Sequence, residues 1–175
     1  MDSLEKNKYK YIKNILSLDM VEFLSSWSLK NQRKGDEQAP LSFSLHSSDS
    51  EIYSHLLHHL QPLMEKETGL SLKPIYSYNR VYLGGSELKR HVDRNACEIS
   101  ASISLKHYYH DKKYKWPLCM GNMPLVIHPG DGVIYKGCEI EHWRPIFTQP
   151  KECWHHQLFI HYVDINGPNA YVKKE

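Results

Sequence analysis

The chain has 175 residues, of which 41% are hydrophobic and 24% charged, and its 22 basic and 20 acidic residues leave a net charge of +2. These values are typical of a globular domain, and they give no electrostatic reason to expect nucleic acid or an anionic membrane as a partner. No apolar run approaches membrane-spanning length and the first residues lack the apolar core of a signal peptide, so we expect a cytoplasmic protein. Its four cysteines, which have no paired spacing, are then expected to be reduced.

A first helix is predicted near residue 19. Asp19 and Glu22 resemble a capping pair, and apolar residues recur at helical spacing, namely Met20, Phe23, Leu24 and Trp27. The preceding stretch 9–18 is expected either to form an earlier helix or to be continuous with this one. Residues 31–40 are polar and contain glycine and proline, so they are interpreted as a loop, and 41–46 as a short extended segment.

A second helix is predicted to open at Ser48 and to stop at Gly69. Its apolar stripe consists of Ile52, Leu56, Leu60, Leu63 and Met64. His55 and His59 lie four residues apart, a spacing that can bind a metal, but no glutamate completes an H-E-x-x-H pattern. We therefore interpret both histidines as ordinary helix surface.

From residue 70 onward the pattern changes to strands and turns without further helices. The predicted strands cover 70–72, 75–83, 99–105, 124–128, 133–136, 139–147 and 156–164, with a polar loop at 107–115 and a tight turn at 129–132. Two helices followed by many short strands favour an antiparallel sandwich or jelly roll backed by helices. We expect one domain over 1–175, with a helical support segment at 1–69, a β core at 70–168 and a tail at 169–175.

The stretch 88–105 combines a pair of potential metal ligands with a two-faced strand. His91 and Asp93 are two residues apart, so in an extended backbone they point to the same side and could reach one metal ion. Further on, Ile99, Ala101, Ile103 and Leu105 alternate with Ser100, Ser102 and Ser104. Taken alone, the H-x-D pattern is better explained as a surface pair, because a chain with 12 histidines contains such pairs by chance.

His142 supplies the second half of the pattern. It alternates with glutamates and shares a strand face with Arg144, so we expect it to point inward. By itself it could be a buried histidine satisfied by a hydrogen bond. Together with His91 and Asp93 it forms a two-histidine, one-carboxylate set, which leaves coordination positions open and suits non-haem Fe(II). A closed zinc site would need a fourth ligand, usually cysteine, for which only Cys138 is near.

With these residues the chain resembles 2-oxoglutarate/Fe(II)-dependent dioxygenases of the prolyl 4-hydroxylase-like group. The matching elements are Arg80-Val81-Tyr82 with Gly84-Gly85, His91-x-Asp93 with its strand, Pro129-Gly130-Asp131, Gly137-Cys138-Glu139 leading to His142, and the strand that ends at Asp164. The resemblance covers about residues 70–168. It implies a mainly β fold with N-terminal helices, namely a double-stranded β-helix, which is a cupin-like jelly roll backed by helices.

The resemblance also implies roles for individual residues. His91, Asp93 and His142 would hold Fe(II), with 2-oxoglutarate and O2 as co-substrates and ascorbate as an optional reductant. Decarboxylation of 2-oxoglutarate to succinate would be coupled to oxidation of a substrate C–H bond, as in a hydroxylase. Tyr82 matches a tyrosine that hydrogen-bonds the co-substrate in this family, although a half-buried strand tyrosine is an equally good interpretation.

The sequence departs from the family at the start of the last core strand, where a basic residue usually pairs with the far carboxylate of 2-oxoglutarate. His155 occupies that position, and a protonated histidine could pair with a carboxylate. Arg144 is the other main candidate, because its guanidinium offers a bidentate fork. Lys106 and Lys151 are further candidates. The alternative interpretations are a rim residue for Arg144 and a solvated loop end for His155.

Two other functions stay open at this point. The first is a cupin-like metal-binding barrel that does not use 2-oxoglutarate, and the second is a non-catalytic binding module with the same fold. The atypical carboxylate anchor favours either alternative, whereas the complete triad opposes the second. For an oxygenase we expect a peptide prolyl group or a small molecule as substrate, and the sequence does not indicate an oligomeric state.

Overall fold

The computed structural model describes residues 3–31, 33–34, 41–46, 48 and 50–174. In this part of the chain there are three α-helices, α1 (Ser3–Asn7), α2 (Leu18–Asn31) and α3 (Glu51–Thr68). The strands are β1 (Tyr9–Ile12), β2 (Arg33–Lys34), β3 (Ser42–His46), β4 (Leu72–Leu83), β5 (Leu88–His91), β6 (Ile99–Tyr108), β7 (Leu118–Met120), β8 (Met123–Leu125), β9 (Gly132–Lys136), β10 (His142–Arg144) and β11 (Trp154–Asp164). None of the described helices is both long and apolar enough to cross a bilayer.

The strands form two antiparallel sheets. The larger has seven strands in the order β1-β9-β6-β11-β4-β3-β2, and the smaller has four in the order β5-β10-β7-β8. Strand β11 is central in the larger sheet, because it pairs with β4 from Trp154 to Asp164 on one side and with β6 from Trp154 to Tyr162 on the other. Strands β4, β11 and β6 therefore form the centre of the larger sheet.

One face of the larger sheet builds the main hydrophobic core with the helices. The predicted alternation along 99–105 is confirmed, since the apolar residues lie in this core together with Leu158 and Ile160 of β11 and with Leu56 and Leu60 of α3. Burial of this apolar area is the main source of folding free energy. The serines of β6 are also fully buried, because their face is turned toward the space between the two sheets.

Helix α3 follows the prediction closely. Leu56, Leu60 and Met64 are buried, Ile52 and Leu63 pack partly buried against the core, and the helix begins at Glu51 instead of Ser48. Gly69 ends it in the left-handed conformation, with φ of 72°, and donates its N–H to Glu65 O. His55 and His59 are exposed, as expected for helix surface.

The helix predicted over 9–18 is wrong, because residues 9–12 form strand β1. This strand pairs with β9, with Tyr9 opposite Tyr135 and Ile12 opposite Gly132. Tyr11 donates its hydroxyl hydrogen to Asp131 Oδ2 at 2.8 Å. Aromatic residues fit a half-buried sheet surface well, and here the partner strand overrides the local helical pattern.

The start and the inner face of α2 also differ from the prediction. The helix begins at Leu18, and Ser17 Oγ accepts the N–H of Met20 at 3.3 Å, so Ser17 is the N-cap in place of Asp19. Met20 and Phe23 are 36% and 53% exposed. The buried residues are Val21, Leu24, Ser25 and Ser28. The serines allow close approach to the sheet, where the Ser25 hydroxyl lies 3.0 Å from His156 Nδ1.

Several predicted strand limits move. Strand β4 begins at Leu72 and runs without a break through the predicted segment 75–83, whereas 124–128 and 139–147 are replaced by the shorter β8 and β10. The loop predicted at 107–115 starts later, because β6 extends to Tyr108 and Tyr109 is buried. Of the loop predicted over 31–40, residues 33–34 form β2, and residues 32 and 35–40 lie outside the described residues.

The revised inner face of α2 gives a matched pair of mutations. Leu24 is 1% exposed, so Leu24→Ala should lower the free energy of unfolding by about 2–5 kcal/mol through the cavity it leaves. Phe23→Ala, on the exposed side of the same helix, should lower it by less than about 1 kcal/mol. Chemical denaturation of both variants measures the difference. A larger loss for Phe23→Ala would show that Phe23 lies on the buried face of α2, as the sequence pattern predicted.

Candidate metal centre and its cavity

A cavity of about 230 Å³ lies between the two sheets. Alternate residues of β4 line one wall, namely Tyr76, Tyr78, Arg80 and Tyr82, and Phe159 and His161 of β11 continue it. His91, Asp93 and His142 line the opposite side. Val92 and Arg94, which are both exposed, mark the end of the cavity that is open to solvent. The cavity therefore has a polar interior with aromatic walls.

The structure brings the three predicted metal ligands together. His91 ends β5 and is the direct cross-strand partner of His142 on β10. Asp93 follows β5, where its backbone N–H donates to Gly137 O at 2.9 Å. The Nε2 atoms of both histidines lie 3.5 Å from Asp93 Oδ1. Three potential ligand atoms thus meet within 4.8 Å of one another, a spacing at which one ion could contact all of them.

Backbone carbonyls determine which nitrogen each ring presents. His91 Nδ1 lies 2.8 Å from Lys89 O, and His142 Nδ1 lies 3.1 Å from Ile140 O. A carbonyl oxygen only accepts, so both Nδ1 atoms carry the hydrogen and donate it. The Nε2 atoms of neutral rings then direct their lone pairs at Asp93. Histidines that bind a metal usually donate their other ring N–H to a carbonyl or carboxylate oxygen in this way.

Asp93 is the anionic member of the set. Burial by itself would raise the pKa of its carboxyl, but the rings of His142 and His91, which donate to it through Nε2 when they are protonated, outweigh burial and hold the pKa well below its usual range. The carboxylate is therefore charged, and its Oδ2 is buried with no hydrogen-bond partner among the described residues. The site therefore offers two imidazole nitrogens and a carboxylate, one oxygen of which is buried and unsatisfied. This donor set suits a divalent cation such as Fe(II).

A second group of potential ligands overlaps the first. Asp93, Cys97 and His161 also offer atoms within 4.8 Å of one another. Burial raises the pKa of the Cys97 thiol to about 12, and the sulfur lies 3.0 Å from the Tyr76 hydroxyl. A thiol that keeps its proton is a poor ligand, since metals bind the thiolate. The set with two histidines and Asp93 is therefore the better candidate.

The residues proposed for the co-substrate are divided between two places. Tyr82 lies in the cavity wall, fully buried, and its hydroxyl accepts a hydrogen bond from Arg80 Nη1 at 3.4 Å. Arg144 is not among the described residues that line this cavity. Its guanidinium stacks 4.7 Å from the Trp116 ring centroid and donates to Trp116 O at 3.1 Å.

His155 lies in a second, smaller cavity, with His107 and Trp116 among its neighbours. Its Nε2 is 2.9 Å from Gln157 Oε1 and its Nδ1 is 2.6 Å from the Tyr109 hydroxyl. Burial lowers the pKa of His155 well below its usual value, so the ring is neutral. Of the lysine candidates, Lys106 is paired with Glu22 at the surface, and Lys151 is exposed.

Sequence reasoning missed Arg80 as a site residue. It is 2% exposed and lines the cavity that holds the three potential ligands. The signal was present, because Arg80 precedes Tyr82 by two residues and the period of a strand places both side chains on the same face. The position was recognised only as part of a matching motif, without a role.

Solved structures share this architecture. A prolyl-4-hydroxylase from Pseudomonas putida has a TM-score of 0.67 at 15% identity, covering 91% of this chain and 94% of that one. HygX from Streptomyces hygroscopicus, with nickel and 2-oxoglutarate bound, has a TM-score of 0.71 at 11% identity, covering 98% and 92%. EctD from S. alaskensis, with bound Fe, has 0.71 at 14%, covering 98% and 77%.

At these low identities the comparisons establish the fold. The chain has the double-stranded β-helix of 2-oxoglutarate/Fe(II)-dependent oxygenases, so the predicted fold class is confirmed, as is the resemblance in fold to that group. No protein-family model matches the chain, and no curated protein sequence does.

Gly137 gives a test of how the metal centre is held. A Cβ there would lie 2.2 Å from Cys97 O and 2.6 Å from Asp93 Oδ2, so Gly137→Ala must displace the loop that carries Asp93. We expect at least about a 10-fold loss of Fe(II) affinity, the scale of effect seen when the support of a ligand is disturbed. Anaerobic titration with Fe(II) measures it.

Gly69→Ala is the matched control for this substitution. Gly69 has a left-handed conformation that favours glycine, but a Cβ there would meet nothing within 4 Å, and the residue lies at the end of α3, away from the cavity. The variant should lose about 1 kcal/mol of stability, because alanine is disfavoured in the left-handed conformation, and should keep its affinity for Fe(II). Unchanged Fe(II) affinity in Gly137→Ala would contradict the placement of Asp93 as a ligand.

Proposed function

We propose that this chain is a non-haem Fe(II)- and 2-oxoglutarate-dependent dioxygenase, acting as a single-domain hydroxylase on a peptide prolyl group or a small molecule. The observation that carries the proposal is the convergence of His91 Nε2, His142 Nε2 and Asp93 Oδ1 on one side of the cavity between the sheets. Three ligands on one face of a metal leave positions open for a chelating co-substrate and O2. Structures of the same fold hold Fe, or nickel with 2-oxoglutarate.

The chemistry itself would come from the bound group. Bound Fe(II), together with 2-oxoglutarate and O2, would yield succinate and CO2 from the co-substrate and would place the second oxygen atom of O2 in a substrate C–H bond. The chain supplies the geometry. Lys89 O and Ile140 O hold the two imidazoles with Nε2 toward the cavity, and the walls shield the interior from bulk water. The Tyr82 hydroxyl lies in the wall, where it can hydrogen-bond the co-substrate.

The cavity walls bear on the class of substrate. Tyr78 stacks on Phe159 with ring centroids 4.7 Å apart, and Tyr76 lies 4.4 Å from the His161 ring. Flat aromatic walls with polar tips favour a substrate that presents a ring or other compact apolar face beside polar groups. Both a prolyl residue and a cyclic small molecule have this shape. Proteins with this fold include a viral collagen prolyl hydroxylase and HygX, which was solved with hygromycin B.

A cupin-like barrel that binds a metal without 2-oxoglutarate is the second candidate. One observation favours it. His155, at the position where the family has a basic residue, is neutral and already hydrogen-bonded on both ring nitrogens. Binding of 2-oxoglutarate to the Fe(II)-loaded protein separates the two functions, because only the dioxygenase needs it.

Loss of a ligand should abolish both binding and turnover. Without O2, Fe(II) and 2-oxoglutarate should give the weak visible charge-transfer band of the chelate, and in air the protein should form succinate. His91→Ala and Asp93→Ala each remove one of three ligands, so we expect at least about a 100-fold loss of succinate formation and no band.

His59→Ala serves as the matched control, because it removes an exposed histidine of α3 far from the cavity lining. It should leave the band and the succinate rate unchanged. If the wild-type chain bound Fe(II) but gave neither band nor succinate, the dioxygenase proposal would fail and the metal-binding barrel would stand in its place.

A further inference from the structure

A 2-oxoglutarate molecule that chelates the metal has a second carboxylate several atoms away, inside the same cavity. A buried carboxylate needs a cation or several hydrogen-bond donors, because its desolvation is otherwise prohibitive. Of the described residues that line the cavity, only Arg80 and Arg94 carry a permanent positive charge. Arg94 is exposed and follows Asp93 directly, which places it at the mouth. Arg80 is the buried one.

We infer that Arg80 of β4 binds the far carboxylate of 2-oxoglutarate and takes the place of the basic residue that is missing from β11. The inference rests on the proposed function and deepens it. It assigns the carboxylate site to the first long strand of the larger sheet, where neither Arg144 nor His155 is located.

The register of the two central strands supports this exchange. Strand β4 pairs with β11 so that Tyr82 is opposite His155, Arg80 opposite Gln157 and Tyr78 opposite Phe159. Moving along β11 from His155 leads to His161, which offers an atom within 4.8 Å of Asp93. Arg80 is therefore on the neighbouring strand, one inward-facing step nearer to the metal centre than His155.

Aromatic rings hold the Arg80 guanidinium in position. Its central carbon lies 5.3 Å from the Tyr78 ring centroid and 5.6 Å from that of Tyr82, and Nη1 donates to the Tyr82 hydroxyl. Both rings come from the same strand, so the fork is constrained before any ligand enters. A planar guanidinium can meet a carboxylate through two parallel hydrogen bonds, a geometry that a lysine cannot offer.

Two oxo acids make the test specific for the far carboxylate. In 2-oxopentanoate a methyl group replaces that carboxylate, while the metal-chelating end is the same as in 2-oxoglutarate. Dissociation constants of both acids are measured on the Fe(II)-loaded chain without O2, from the charge-transfer band, so that binding is read independently of turnover. The wild-type chain should bind 2-oxoglutarate at least about 100-fold more tightly than 2-oxopentanoate.

Arg80→Met removes the charge and keeps most of the length. We expect the preference to fall below about 10-fold through weaker binding of 2-oxoglutarate, with 2-oxopentanoate changed little, because only one of the two acids has a partner for the guanidinium. Arg80→Lys keeps the charge without the fork and should show an intermediate preference. Arg80→Lys does not place an uncharged, apolar side chain in the polar cavity wall. This second variant therefore decides the question if Arg80→Met does not fold.

Arg90→Met is the matched control, since Arg90 is exposed on β5 and paired with Glu141 at 3.1 Å. It should keep the wild-type preference. A preference that survives in both Arg80 variants but collapses in Arg144→Met would overturn the inference and assign the carboxylate to Arg144. A wild-type chain that binds Fe(II) but gives no band with either acid would overturn the proposed function, and with it the role of Arg80.

Discussion

Two imidazole nitrogens and a carboxylate converge inside the cavity, and the site depends on what lies between them. His91 and His142 each place Nε2 3.5 Å from Asp93 Oδ1, while their Nδ1 hydrogens are held by backbone carbonyls. Neutral rings in this arrangement direct lone pairs at the carboxylate, whereas a proton or a divalent cation between the atoms makes the contact attractive. A divalent cation can contact all three atoms at once, and the rest of the fold holds them at the short distances that it needs.

The two faces of the larger sheet divide this task. The face toward the helices is apolar, and its burial supplies most of the folding free energy. The face toward the smaller sheet carries serines, tyrosines and histidines. Ser100 Oγ donates to Cys97 O and lies next to His161 Nδ1, and Gln157 donates to Ser102 Oγ. Because stability comes from the helical side, the interior between the sheets can be polar. The short strands of the smaller sheet then have only to align His91 with His142.

Sequence reasoning succeeded where structure depends on the backbone alone. The two-residue period predicted the apolar face of β6 and the inward direction of His142, and both are local properties of a strand. It failed where an element is determined by contacts with distant parts of the chain. Residues 9–12 form strand β1 because they pair with β9, and Ser25 of α2 faces inward, where its hydroxyl contacts the buried His156. The period also pointed Arg144 inward, but the tertiary fold places Arg80, and not Arg144, among the residues that line the cavity with the metal ligands.

A neutral His155 is compatible with an anionic co-substrate in the neighbouring cavity, which is lined by the potential metal ligands. Gln157 Oε1 can only accept, so His155 donates through Nε2, and Nδ1 accepts from the Tyr109 hydroxyl. Gln157 then donates to Ser102 Oγ in the cavity wall, which completes a directed chain of hydrogen bonds. A basic residue at 155 would break this chain and add a cation near the buried Arg144, whose charge already lowers the pKa of His155 alongside burial. A neutral histidine at this position therefore avoids a further cation beside Arg144, and Arg80 of β4 is the buried cation that lines the cavity with the metal ligands.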